Sequence, residues 1–132
     1  MITDNQAYTY IATNLRNMGI GIHVTSERLY MVAEFPTVSI VCVDGTPVSG
    51  TIDFTETNRR STFEVNVYTN STMNEAKYIS ESIKKWFLNI GYRCRVFTPL
   101  DNVNDLTIKR YVGSYTRVIG DGDTLPENEE EE

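Results

Sequence analysis

Cysteine and histidine are nearly missing from this sequence. Two cysteines, Cys42 and Cys94, and one histidine, His23, stand among 132 residues. Two thiols build neither a disulfide framework nor a structural zinc site, and they suit a reducing intracellular environment. Both fall in predicted strands, where a small buried core thiol is the expectation. Long apolar runs are missing too: Leu29 to Ala33 is five residues and Ile40 to Val43 four, against the roughly 20 that span a bilayer. The opening Met1-Ile2-Thr3-Asp4-Asn5-Gln6 carries no basic n-region and no apolar stretch, so no secretory signal is expected. These absences argue against secreted, membrane-spanning and zinc-stabilised classes. What is present is a globular balance of 40% apolar and 23% charged residues, enough for one core.

Acidic residues are scarce until the end of the chain. The formal net charge is −6, yet seven of the 18 acids (Asp121, Asp123, Glu127 and Glu129 to Glu132) lie in the last 14 residues. The preceding 118 residues hold 11 acids and all 12 bases, a formal +1. The organisation expected is a single α+β domain over 1–119 and an acidic, flexible C-terminal tail over 120–132. Such a tail self-repels and has nothing to bury. It reads either as a solubilising segment or as one that docks on a basic partner surface.

Two helices are legible. Thr3-Asp4-Asn5-Gln6 has capping-box spacing, and Ala7, Ile11, Leu15 and Met18 then form one apolar stripe before a stop at Gly19. Thr72-Met73-Asn74-Glu75 is a second box, followed by the stripe Ala76, Ile79, Ile83, Trp86, Phe87 and Ile90 and a stop at Gly91. Lys77, Glu81, Lys84 and Lys85 take its wet side, with Glu81 and Lys85 in the favourable i,i+4 order. Between the helices the period changes to two. A short strand fits Ile22 to Ser26, and Thr37 to Val43 is β-branched and ends at the hairpin signal Asp44-Gly45. The chain reads as extended from Thr46 to Thr57, Asn58-Arg59-Arg60 as a loop, and Ser61 to Thr69 as a half-buried strand with Phe63, Val65 and Val67 on one face. Two further strands follow: Tyr92 to Thr98, with Tyr92, Cys94 and Val96 on one face, then a turn over Pro99 to Asn104, then Asp105 to Ile119. The fold expected is α+β, a mostly antiparallel sheet with two helices, the second packed on one face of the sheet.

A search for chemistry assigns no catalytic, cofactor-binding or metal-binding residue. His23 alone cannot make a His/His zinc pair and has no triad context. Gly19-Ile20-Gly21 lacks the third glycine and preceding strand of a dinucleotide fingerprint. Asp101 and Asp105 sit among turn formers. The chain is therefore read as a non-enzyme without cofactor. The interface candidates are arginines and tyrosines: Arg93 and Arg95 on one strand, Arg110, Tyr111, Tyr115 and Arg117 on the next, and Arg59 with Arg60 at the predicted loop tip. Such a wet face can stack bases, and it is equally the composition of a protein interface. The element order is not that of an RNA-recognition motif, and a folded charge of +1 gives little phosphate attraction.

Four pieces in chain order carry a resemblance. They are Glu34-Phe35-Pro36-Thr37-Val38-Ser39-Ile40 leading into a hairpin, and a long loop entering Ser61-Thr62-Phe63-Glu64-Val65-Asn66-Val67-Tyr68. The third and fourth are the helix from Glu75-Ala76-Lys77 to Asn89-Ile90-Gly91-Tyr92, and Lys109-Arg110-Tyr111 to Tyr115-Thr116-Arg117-Val118 in the last strand. Together they cover about two-thirds of the chain, and the whole resembles tail-terminator (tail-completion) proteins of bacteriophages and phage-like particles. That resemblance implies a virion structural protein, a homo-oligomeric hexameric ring that caps the tail tube and joins it to the head connector. It implies tail-tube and head-connector proteins as partners, DNA passing through the ring lumen without sequence-specific recognition, and no membrane. The implied location is the tail or neck of the virion, after synthesis in the host bacterial cytoplasm. The acidic tail departs from the pattern. The alternatives are a head-completion or connector-adaptor protein, more often helical, and a small nucleic-acid-binding module.

Overall fold

The structure is a computed structural model, and it describes residues 3–28, 34–44, 58–101 and 107–120. The order is α1 (Asp4–Arg16), β1 (His23–Thr25), β2 (Thr37–Asp44), β3 (Asn58–Thr69), α2 (Met73–Asn89), β4 (Arg93–Asp101) and β5 (Lys109–Gly120). The class is α+β. The sheet has five strands in the order β1-β2-β3-β5-β4, and it is mixed, since β1 pairs parallel with β2 while the other pairs are antiparallel. The stretch from Thr25 to Thr37 is of crossover length, which a parallel neighbour requires and a hairpin does not. β3 and β4 run the same way with β5 inserted between them, and α2 is the connection. No helix among the described residues is long and apolar enough to cross a membrane.

The helix ends follow from local chemistry. At α1 the capping box closes: Gln6 N–H donates to Thr3 Oγ1 at 3.1 Å, and Thr3 N–H donates to Gln6 Oε1 at 3.0 Å. At α2 only half of the expected box forms. Glu75 N–H donates to Thr72 Oγ1 at 3.1 Å, but the Glu75 carboxylate accepts from the Thr69 hydroxyl instead of reaching back to Thr72. Thr69, the last residue of β3, competes successfully because its hydroxyl is already held at the strand end. The C-terminus of α2 is a Schellman motif, with Gly91 N–H on Leu88 C=O at 3.1 Å and Tyr92 N–H on Phe87 C=O at 2.9 Å. Gly91 has φ +88°, a left-handed conformation that costs a side-chain-bearing residue energy. The Phe87 and Tyr92 rings meet at 5.1 Å, the apolar contact that accompanies this motif. Glu81 and Lys85 make no ion pair, and Lys84 instead lies 4.8 Å from the centre of the Phe97 ring.

Ala7, Ile11 and Leu15 from α1 and Ala76, Ile79, Ile83 and Phe87 from α2 share one buried cluster with Val38, Ile40, Phe63, Val65, Val67, Tyr111 and Tyr115 from the sheet. Phe87 stacks on Tyr115 at 4.5 Å with the planes 10° apart, and Phe63 approaches Phe87 at 5.6 Å. Tyr115 lies flat because β5 has Gly113 two positions earlier on the same face. A Cβ built there would stand 2.6 Å from the Tyr115 hydroxyl oxygen.

Several strand expectations need correction. Asn58-Arg59-Arg60 is not a loop but the start of β3, in register with Gly120, Ile119 and Val118. A twelve-residue partner in β5 supplies hydrogen bonds to residues that would otherwise have been left to solvent. The turn expected over Pro99 to Asn104 begins later, because Pro99, Leu100 and Asp101 pair with Tyr111, Arg110 and Lys109. Proline is tolerated there since β4 is an edge strand. A bulge between Cys94 and Val96 reverses the facing that alternation gives, so Val96 is exposed and Phe97 takes the inner position. The cysteines are not core thiols: Cys42 is exposed and Cys94 half-buried. The extended segment expected from Thr46 to Thr57 and the turn residues Asn102 to Asp105 lie outside the described residues.

Two outcomes follow. Replacing Gly113 by Ala should destabilise the fold by about 1–3 kcal/mol in chemical denaturation, because Tyr115 is stacked under Phe87 and cannot withdraw without opening that contact. Burial, more than the nearby Cys94 and Tyr111, raises the Tyr115 phenol well above its ordinary value of 10.0. The unfolded chain therefore releases that proton first. The stability it contributes is intact below pH 10 and is lost as pH rises beyond it, with a slope of up to about 1.4 kcal/mol per pH unit. Tyr115→Phe should flatten the alkaline limb of the stability curve, leaving a smaller slope from Tyr68, which burial also raises.

Candidate interaction site

The bulge in β4 and the strand starts around it gather four arginines. Arg93 is in register with Thr116 on the sheet face away from the core, and Arg60 with Val118 on the same face. Arg95 is the extra residue of the bulge, skipped between Cys94 and Val96, which frees its side chain from the ladder. Arg117 projects to the other side and donates from Nη1 to the carbonyl of Ile90 at the end of α2. Together with Cys94, Thr116 and Val118 these arginines line a cleft of about 420 Å³.

The electrostatics of this cleft are one-sided. Among the described residues that line it, four are arginines and none is an acid. Arg60, Arg93 and Arg95 are exposed, and none makes an ion pair with a described residue; the ion pairs among those residues are His23–Glu34 at 3.3 Å and Arg28–Glu64 at 3.0 Å. Arg117 is engaged differently. Its guanidinium lies 3.0 Å from where a Cβ on Gly91 would sit, and it places positive charge on the last carbonyls of α2, where the helix dipole favours it. Val96 and Val118 are exposed at 44% and 49% on the same strands, which gives the cleft an apolar margin.

Of the residues expected at an interface, the structure unites Arg60, Arg93, Arg95 and Arg117. Arg59 pairs through its backbone with Ile119; its side chain is outside the described residues. Tyr111 and Tyr115 do not belong to the wet face. They are 7% and 1% exposed, because strand alternation turns the odd positions of β5 toward the helices. Arg110, one position from Tyr111, points the opposite way and is engaged elsewhere. It donates from Nε to Asn66 Oδ1 at 2.9 Å and lies 5.8 Å from the Tyr68 ring. Alternation along Lys109 to Gly120 was the signal that separates these residues. The β4 bulge left no comparable mark, so the meeting of Arg95 with Arg60 was hidden.

Other groups that could carry chemistry are apart. His23 is exposed on the edge strand β1, 3.3 Å from Glu34. Among the described residues no group of three or more His, Cys, Asp or Glu side chains could hold a metal ion. A buried chain of hydroxyls runs from Tyr92 through Ser61 to Asp4: Ser61 Oγ donates to Asp4 Oδ1 at 2.8 Å and lies 2.8 Å from the Tyr92 hydroxyl. It ties the start of α1 to β3 and to the segment after α2. No family model and no curated protein matches this sequence.

The two kinds of arginine should separate by experiment. Arg117→Ala removes a charged hydrogen bond from a helix end and should cost about 1.5–3 kcal/mol in urea unfolding. Arg60→Glu combined with Arg93→Glu should stay within about 0.5 kcal/mol per site of the parent.

Proposed function

We propose that this chain is a virion structural protein of the tail-terminator kind, a subunit that closes into a ring, six-membered by the family resemblance, and caps a phage tail tube. The subunit for that role is an α+β domain whose second helix is packed on one face of a mostly antiparallel sheet. The arginine cleft with its apolar margin is the observation that carries the reading. Head-to-tail rings need two different, complementary patches on each subunit, and exposed arginine beside exposed aliphatic side chains is the composition of one such patch. The free edge of the sheet supports contact through side chains rather than through added strands. β4 carries a bulge, Pro99 and two arginines, the devices that discourage strand-to-strand pairing. Tail-tube and head-connector proteins are the partners proposed, with DNA crossing the lumen unread.

Native mass spectrometry of the purified chain tests this. The expected result is a closed oligomer at the mass of six subunits, depleted at least about tenfold by Arg60→Glu with Arg93→Glu without change in circular dichroism. A chain that remains monomeric at every concentration, alone and with tail tubes, would overturn it. The same cleft supports a second reading, a small nucleic-acid-binding module. Four phosphate contacts would then give a log–log salt slope of about −3.6 on duplex DNA.

A further inference from the structure

The cleft lies beside the end of β5, and the sequence that follows β5 is opposite to it in charge. β5 ends at Gly120, in register with Asn58, two ladder positions beyond the Arg60–Val118 pair that lines the cleft. The twelve residues that follow hold seven acids and no base. Three of the four cleft arginines have no ion-pair partner among the described residues, and no described residue of the cleft lining is an acid.

From this juxtaposition we infer that the cleft of Arg60, Arg93, Arg95 and Arg117 is a binding site for carboxylate-rich peptide, and that its occupant in the isolated chain is the chain's own segment 121–132. Reach favours the same molecule. Twelve residues extend to about 40 Å, whereas the cleft begins three residues upstream of the segment. A tethered segment presents itself at an effective concentration of about millimolar, above that of any separate chain in dilute solution. Chemistry favours carboxylates, because a guanidinium fork accepts one in a bidentate pair. A single exposed pair of this kind is weak and screened by salt, so the contact relies on several acids against several arginines and yields when another polyanion competes. The segment thus competes for the cleft with any other anionic partner, the surface of a neighbouring subunit included. This inference stands independently of ring assembly, since it concerns one chain.

The test compares the full chain with a full-length variant carrying Asp121→Asn, Asp123→Asn and Glu→Gln at 127, 129, 130, 131 and 132. The side-chain Nε–Hε resonances of Arg60, Arg93 and Arg95 are recorded for both by NMR, and hexaglutamate and a duplex DNA oligonucleotide are titrated into each. Expected are shifted arginine resonances in the parent relative to the variant, a difference that survives tenfold dilution and vanishes near 0.5 M salt, where the Debye length falls to about 4 Å. The variant should bind hexaglutamate at least about tenfold more tightly than the parent. Arg93→Glu with Arg95→Glu should abolish both effects while leaving the thermal melt in place. Identical arginine resonances in the two chains, or equal hexaglutamate affinity, would overturn the inference. So would a difference lost on dilution, which places the segment on a second copy, or a variant that binds DNA and not hexaglutamate, which makes the cleft a phosphate site.

Discussion

A missing side chain at the centre of the sheet sets much of this structure. Gly113 has no Cβ, so the Tyr115 ring can lie along β5 and take Phe87 of α2 as a parallel stack at 4.5 Å. Phe63 and Tyr92 meet Phe87 at 5.6 and 5.1 Å and each other at 5.9 Å. Aromatic pairs of this kind add about 0.5–1.5 kcal/mol each beyond the area they bury. The stack does more than stabilise: it sets how far α2 runs along β5 before it must end. The end comes at Ile90, and there Arg117, two positions along β5 from Tyr115 and on the same face, meets the last helical carbonyl.

Arg117 therefore links the core to the surface. Its guanidinium closes the helix that the aromatic stack positions, and Arg117 is also one of the residues lining the arginine cleft. The other three arginines arrive from different causes. Arg60 comes from the extension of β3 along β5, Arg93 from the first position of β4, and Arg95 from the bulge beside it. A bulge bends its strand and re-aims a side chain; here it sends Arg95 to the cleft and Val96 to solvent. Charge concentrated in this way at the end of a sheet is costly for a subunit in isolation, since like charges repel, and it is supported where an anionic segment or a partner surface meets it.

Farther along the same face the logic is different. Ser39, Glu64, Asn66 and Arg110 are paired among themselves or with Arg28 and the carbonyl of Glu27, so the sheet's polar side near β2 and β3 is internally satisfied. Among the described residues of the cleft, the arginines without an ion pair are those of β4 and of the start of β3. That asymmetry distinguishes a candidate site from ordinary polar surface, and it divides two sets of arginines that composition alone places together.

Local signals were enough for the helices. Thr3, Gln6, Thr72 and Gly91 act within a few residues of themselves, and the stripes Ala7-Ile11-Leu15 and Ala76-Ile79-Ile83-Phe87 have a period that only a helix satisfies. Alternation gave Phe63, Val65 and Val67 their common face, and the acidic end of the chain was plain in the charge count. Tertiary structure decided what depends on partners distant in sequence: that β5 lies between β3 and β4, that β1 runs parallel to β2, that Asn58 to Arg60 are strand, and that Glu75 turns to Thr69. It also decided that Tyr111 and Tyr115 are core and that four arginines from three strands share one cleft. Capping and periodicity are local because each hydrogen bond or buried face recurs within a turn or two. Strand order, bulges and clefts are not, because a ladder's hydrogen bonds are satisfied by whichever strand packing brings alongside, and that choice is made by the whole core at once.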